Sequence, residues 1–335
     1  MSHQNTLDLA VIGNCTNAAL VDTKAAIKWA CLPYLDGDPV FCALVDEPEN
    51  RKNDKRNDTD PETRGDVHGV WDFKIENFSS SRQSCVSETP VVETFLTNEQ
   101  GDSVKIIDFI PRIKSGEINE SPPLICRIVE PVKGTVRMSV RLRPCRNEGK
   151  DKLTAKYSAD TILYESTGGD LALKTSLPAD DVLQETVFNL DQTHYFIFGE
   201  SKAFSHETIS HHCKGFLEQT KQWWREYIRG LKIPDAYNEE ITSAVIALKL
   251  CTFEKTGAIV AALTTSIPEA PGSVRNWDYR YCWLRDALFV ISTLSGLGDH
   301  QLRTRYKNFI FQILEDSGID AIQPLYGIHR ETDIT

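Results

Sequence analysis

The sequence predicts a multi-domain protein, an N-terminal antiparallel β-sandwich followed by helices. Three observations carry this. Short segments rich in β-branched residues, bounded by turn residues, recur from residue 7 to residue 199. Such a series favours two packed antiparallel sheets. Beyond residue 204 the hydrophobic period becomes helical, with Ile209, Phe216, Leu217, Trp223, Trp224, Tyr227 and Leu231 recurring near that spacing. Glycine-punctuated helical segments then fill the remainder.

At 335 residues the chain has room for two domains, and its 41% hydrophobic content suffices for a sizeable core. The net charge of −11 argues against nucleic acid or an anionic membrane as a partner. No apolar run is long enough to span a bilayer. The N-terminus has no basic start followed by an apolar run, so no secretory signal is visible and a cytoplasmic location is expected. The nine cysteines include no CxxC pair, which gives no zinc or redox motif. In a cytoplasmic protein most of them are expected to be small buried residues. The glycosylation patterns at Asn14, Asn57 and Asn77 have no meaning without secretion.

In order, residues 7–12, 18–21, 27–32 and 40–45 read as short strands, with a turn at Gly37-Asp38-Pro39. Residues 47–69 carry both charge signs and almost no apolar side chain, so a solvated insertion is expected. Their acidic spacing does not fit a calcium loop. Strands are expected at 91–96, 104–110, 124–129, 136–142, 162–165, 171–175 and 194–199, with Gly168-Gly169-Asp170 as a hairpin turn. Residues 205–231 form a linker helix. The next helix spans 239–256, buries Ile241, Ala244, Val245 and Leu248, and stops at Gly257. A helix within 275–294 closes at Gly296-Leu297-Gly298. The last, about 300–316, turns Phe309, Ile310, Ile313 and Leu314 inward.

The stretch 275–294, RNWDYRYCWLRDALFVISTL, concentrates the chemistry. From Tyr281 onward a helix is permitted. Wound at helical period, Leu284, Leu288 and Ile291 take one side, Phe289 another, and Trp283, Val290 and Leu294 the back. A helix apolar all round is expected to be buried, yet Arg285 and Asp286 lie in its first turns. Adjacent residues do not face each other on a helix, and a buried charge needs a partner. Other protein groups or a polar ligand would supply it. Planar charged groups and aromatic faces suit a sugar, which presents hydroxyls around a partly apolar ring. The plainer alternative is aromatic core with ions paired to other helices. His206, His211, His212 and Cys213 do not make a metal site, because adjacent histidines on a helix point apart and no second cluster completes the ligand set.

The same stretch resembles the second helix of the catalytic domain in glycoside hydrolase family 15, the glucoamylase-like and trehalase-like enzymes. Thr256-Gly257-Ala258-Ile259-Val260-Ala261-Ala262, Thr264-Thr265-Ser266-Ile267-Pro268-Glu269-Ala270 and Gln323-Pro324-Leu325-Tyr326-Gly327-Ile328 carry the same likeness. Asn14-Cys15, Ala18-Ala19-Leu20-Val21, Ile27, Trp29, Cys31-Leu32-Pro33 and Asp108-Phe109-Ile110-Pro111-Arg112 resemble the trehalase-like N-terminal domain. Lys24-Ala25 departs from it, standing where relatives carry an Asp-Gly kind of turn, so a less tight hairpin is expected. The resemblance implies a trehalase-like β-sandwich over 1–203, a linker helix over 204–233, and over 234–335 the first helices of an incomplete (α/α)6 barrel. It implies inverting hydrolysis of an α-glucosidic bond, with an α-glucoside or trehalose-like saccharide as partner and no cofactor or metal. Tyr279, Trp283, Arg285 and Asp286 map onto the sugar subsite beside the scissile bond. An inverting enzyme needs an acid and a base about 6.5–9.5 Å apart. In the family both are glutamates, expected beyond Thr335, so this chain alone is expected to be inactive. Glu269 is no substitute, since a lone carboxylate cannot do both jobs. A non-catalytic carbohydrate-binding or interaction protein built on the sandwich is the alternative.

Overall fold

A computed structural model of the chain describes residues 7–45, 68–115, 118–166, 168–201, 208–264, 276–317 and 322–334. Two large antiparallel sheets dominate. One has seven strands, in the order Leu9–Gly13, Ala18–Asp22, Ile27–Cys31, Val70–Ile75, Val136–Arg143 and Phe188–Leu190, with Pro39–Phe41 paired to Ile27–Cys31. The other has eight, in the order Thr154–Ser158, Thr161–Glu165, Leu171–Thr175, His194–Glu200, Leu124–Lys133, Ser103–Phe109, Val92–Asn98 and Phe78–Cys85. Their inner faces share one core, with Ile27, Trp71 and Val140 meeting Ile106, Ile125 and Phe198.

The strand patterns follow from what covers each face. Val92–Asn98 alternates buried and half-buried residues, as a strand with one covered face should. Leu124–Val129 and Tyr195–Gly199 are buried throughout. Their inner residues enter the sandwich core, and their outer residues Cys126, Ile128 and Ile197 are covered by Cys213 and Leu217 of the long helix below. Strands form in addition at Phe78–Cys85, an exposed and polar edge, and at Val70–Ile75, Thr154–Ser158 and Phe188–Leu190, none of which has a run of alternating β-branched residues that marks it in sequence. At Lys24-Ala25 the chain turns with Ala25 at φ +61°, and Asp22 Oδ1 accepts from the Lys24 and Ala26 amides at 2.9 and 2.8 Å. Gly168-Gly169-Asp170 joins two paired strands as expected, with Gly169 at φ +107°.

Five helices are present among the described residues: α1 (Ala179–Leu183), α2 (Ile209–Arg229), α3 (Asn238–Leu250), α4 (Leu284–Gly296) and α5 (His300–Ser317). The N-terminal half of α2 lies on the eight-stranded sheet. Its C-terminal half brings Trp224 and Ile228 into a second core with Val245 and Leu250 of α3, Ala287, Ile291 and Leu294 of α4, and Leu302, Phe309 and Ile313 of α5. Cys15, Ala18 and Leu35 of the N-terminal strands and loops also enter this second core.

The helices depart from their expected bounds and burial. Helix α3 ends at Leu250 rather than near Thr256, because Thr252–Phe253 pairs with Ala258–Ile259 as a small hairpin. Gly257 therefore serves that hairpin, at φ +88°, and not a helix stop. Helix α4 begins at Leu284, since Cys282–Trp283 is an extended pair with Leu325–Tyr326. Nor is α4 buried all round: Leu288 is 59% and Phe289 66% exposed, because only the Ala287, Ile291 and Leu294 side has elements to pack on.

The acidic and basic run at 47–67, His206 and Glu269 lie outside the described residues. Among the described residues no group of three metal-ligating side chains forms, and His212 stacks on Phe216 at 5.1 Å. Among the described residues no helix is long and apolar enough to cross a membrane. Seven of the nine cysteines are buried, and the Cys42 and Cys145 sulfurs approach to 3.5 Å.

Candidate functional site

Three sequence segments far apart in the chain meet at the start of α4. The Ala261 amide donates to the Tyr281 carbonyl at 3.2 Å and the Ala262 amide to the Tyr279 carbonyl at 2.9 Å. Cys282–Trp283 pairs with Leu325–Tyr326, and the Leu284 amide donates to the Pro324 carbonyl at 3.1 Å. The segments around 258–262, 279–286 and 324–328 thus form one irregular platform. Backbone hydrogen bonds hold it, which is how loop-like chain can be kept rigid.

On this platform Tyr279, Trp283 and Asp286 are half-buried. The Trp283 indole N–H donates to the Asp278 carbonyl at 3.0 Å, which sets the ring's orientation. Trp277 meets Trp283 edge-on at 6.2 Å. Arg285 and Asp286 occupy the first turn of α4, where an anion is favoured by the unpaired amides of the helix start. The four predicted residues, Tyr279, Trp283, Arg285 and Asp286, all lie on the 279–286 segment of this platform.

Their electrostatics differ from expectation. The Arg285 guanidinium donates to Asp286 at 3.2 Å, so the adjacent pair does meet. It can do so because the Arg285 side chain, 79% exposed, is long enough to curl back in solvent. An exposed pair of this kind is worth about 0–1 kcal/mol. No buried charge demands a ligand at this position, contrary to the expectation from a buried helix. The segment still carries a planar cation, a carboxylate and two aromatic rings within eight residues.

Sequence reasoning missed two neighbours, Asp278 and Arg280. Arg280 donates to both Asp278 carboxylate oxygens, from Nε to Oδ1 and from Nη2 to Oδ2. It also missed the ion cluster behind the platform. Glu254, in the 252–259 hairpin, accepts from Arg112 at 2.5 Å and lies 3.1 Å from Lys249 and 3.3 Å from Arg305. Lys249 reaches Asp299 at 3.2 Å, and the Tyr227 hydroxyl donates to the same carboxylate at 3.0 Å. The Trp223 ring covers Arg112, 3.4 Å from its guanidinium carbon to the ring centre. Burial pushes the Glu254 carboxyl up, but Arg112, Lys249 and Arg305 together outweigh it and hold the group at about 2. Two surface cavities, of about 710 and 320 Å³, are lined by residues other than the four predicted ones.

Residues 235–334 match the family Glycosyl hydrolases family 15. Nearly the whole chain is similar to proteins named trehalase. It is 24% identical to a trehalase of Thermoplasma volcanium, over 96% of this chain and 49% of that protein. It is 26% identical to trehalase 1 of Sulfolobus acidocaldarius, over 96% and 51%, and 23% identical to a trehalase of Mycobacterium tuberculosis, over 98% and 49%. The chain spans about half the length of the curated relatives it matches. The match over residues 235–334 and the likeness to these relatives support a trehalase-like family within glycosyl hydrolases family 15.

Proposed function

We propose that the chain supplies the sandwich and the sugar-gripping edge of an inverting glycoside hydrolase that acts on an α-glucosidic bond, with trehalose as the first substrate to test. The observation that supports this is the convergence of three segments on the start of α4, the stretch that carries Tyr279, Trp283, Arg285 and Asp286. In this reading Tyr279 and Trp283 lie against the C–H faces of a glucose ring. Arg285 and Asp286 share its hydroxyls, exchanging their exposed mutual contact for charge-assisted bonds to the sugar. The names of the relatives favour trehalose over other α-glucosides.

The proposed organisation is a sandwich over 1–203, a linker helix over 204–233 and a catalytic portion over 234–335. Helix α2 supports it by reaching both hydrophobic cores. Helices α3, α4 and α5 would be the first of an (α/α)6 barrel. The exposure of Leu288, Phe289 and Phe311 on α4 and α5 supports a face that other barrel helices cover. No residue of this chain is assigned as acid or base, so the chain alone should release no glucose from trehalose or maltose. Binding tests the subsite directly. Trehalose titrated against the wild-type chain should give a saturable response that Arg285→Ala weakens about tenfold, the loss of one charge-assisted contact. Equal binding by both proteins would sink the assignment of Arg285.

A further inference from the structure

Arg280 links the N-terminal strands and loops to the platform before α4. Its Nε lies 3.1 Å from each Asp278 oxygen and its Nη2 2.7 Å from Oδ2, while its own amide donates to Asp278 Oδ1 at 2.9 Å. The remaining nitrogen, Nη1, crosses to the other region. It donates to the Gly37 carbonyl at 3.0 Å and lies 3.6 Å from the Cys31 sulfur. The guanidinium also sits over the Trp29 ring at 5.8 Å. Trp29 and Cys31 are buried members of the Ile27–Cys31 strand, so the anchor on that side is rigid. On the other side Asp278 carries the link onward, since its carbonyl receives the Trp283 indole N–H.

The Gly37 loop is itself held at its base. The Gly37 amide donates to the Tyr34 carbonyl at 3.1 Å, Asp36 Oδ2 accepts from the Ile328 amide at 3.4 Å, and Tyr34 meets Phe253 edge-on at 5.5 Å. A side chain at Gly37 would meet the Leu32 and Tyr34 carbonyl oxygens at 3.1 and 3.2 Å, so the turn is closely packed. The Arg280 and Asp278 side chains are only 12% and 19% exposed. A fork of donors with two of its three nitrogens on one carboxylate and the third on a carbonyl of another region fixes direction as well as distance.

We infer that Arg280 is a positioning residue for the saccharide subsite, through which the sandwich loop at 32–37 sets the orientation of Trp283 and of the chain leading into Arg285 and Asp286. The word saccharide rests on the function proposed above. The mechanical link does not.

The test uses the full chain labelled with 5-fluorotryptophan. Its six tryptophans give six fluorine signals, and Trp283→Phe identifies the one of interest. Arg280→Met should shift the Trp283 signal and speed amide exchange at 276–284 and 32–38, while the Trp71 and Trp224 signals stay in place. Arg280→Lys should restore part of both, since an ammonium can hold only some of these partners. A Trp283 signal and exchange rates unchanged in Arg280→Met would overturn the inference. If Arg280→Met loses all dispersed signals, Arg280→Lys decides: a shift confined to Trp283 and its neighbours supports the link, and no shift refutes it. Trehalose titration separates the two readings. Wild-type binding weakened about tenfold in Arg280→Met supports positioning of the subsite. Undiminished binding despite a displaced Trp283 overturns it. No binding by the wild type counts against the saccharide reading alone, with the link still decided by the fluorine and exchange results.

Discussion

Replacing Glu254 with glutamine removes an anion shared by Arg112, Lys249 and Arg305 at the junction of sheet and helices. The carboxyl is held at about 2, against an ordinary value of 4.5. Burial alone would raise it, and the three cations outweigh that penalty. A depressed carboxylate stabilises the fold fully above its unfolded value, and the contribution is lost as pH falls toward the folded value. The window therefore runs from about 4.5 down to about 2. The difference corresponds to about 3 kcal/mol at neutral pH and about 1 kcal/mol near pH 3, at 1.36 kcal/mol per unit. The Glu254 side chain is 19% exposed, so little of this is screened by solvent. Urea unfolding of wild type and Glu254→Gln across this range should show a stability gap that narrows steadily with acid, because a protonated glutamate and a glutamine are nearly the same shape. A gap that stays constant from neutral pH to pH 3, or is absent at neutral pH, would refute the reasoning.

Other outcomes follow from the same contacts. Arg127→Met should cost about 3–5 kcal/mol in urea unfolding, because it strands the fully buried Asp108 carboxylate that Arg127 grips; the double change with Asp108→Leu should recover much of the loss. Gly257→Ala should destabilise by more than about 1 kcal/mol, since the residue sits at φ +88° and a Cβ there would lie 2.4 Å from the Arg305 carbonyl oxygen. Arg285→Ala should leave the melting transition within about 0.5 kcal/mol of wild type, because the side chain is exposed. A large destabilisation there would mean that Arg285 has a structural partner.

Much of the sandwich was legible from local pattern. The strand at Leu171–Thr175 matched its expected bounds, and those at Ala18–Asp22, Leu124–Lys133, Val136–Arg143 and His194–Glu200 began where expected. Such strands announce themselves because β-branched runs between turn residues need only their own residues to be recognised. The polar edge Phe78–Cys85 carries no such run; its pairing comes from its neighbour strand. At the candidate site the chemistry of Tyr279, Trp283, Arg285 and Asp286 was visible, but their burial was not. Hydrophobic periodicity says which residues share a helix face, not which faces find a partner. On α4 the Ala287 and Ile291 side found one, whereas Leu288 and Phe289 did not.

The amino-acid sequence by itself determined the order of strands then helices and the residue types gathered before α4. Only the tertiary structure decided that Arg285 lies in solvent against its own neighbour, and that Arg112 and Arg280 are the arginines joining the two regions. Arg112 bonds a residue 142 positions away and Arg280 one 243 positions away. A hydrogen bond between groups so distant in sequence is set by how two packed surfaces meet, and it leaves no periodic trace in either segment.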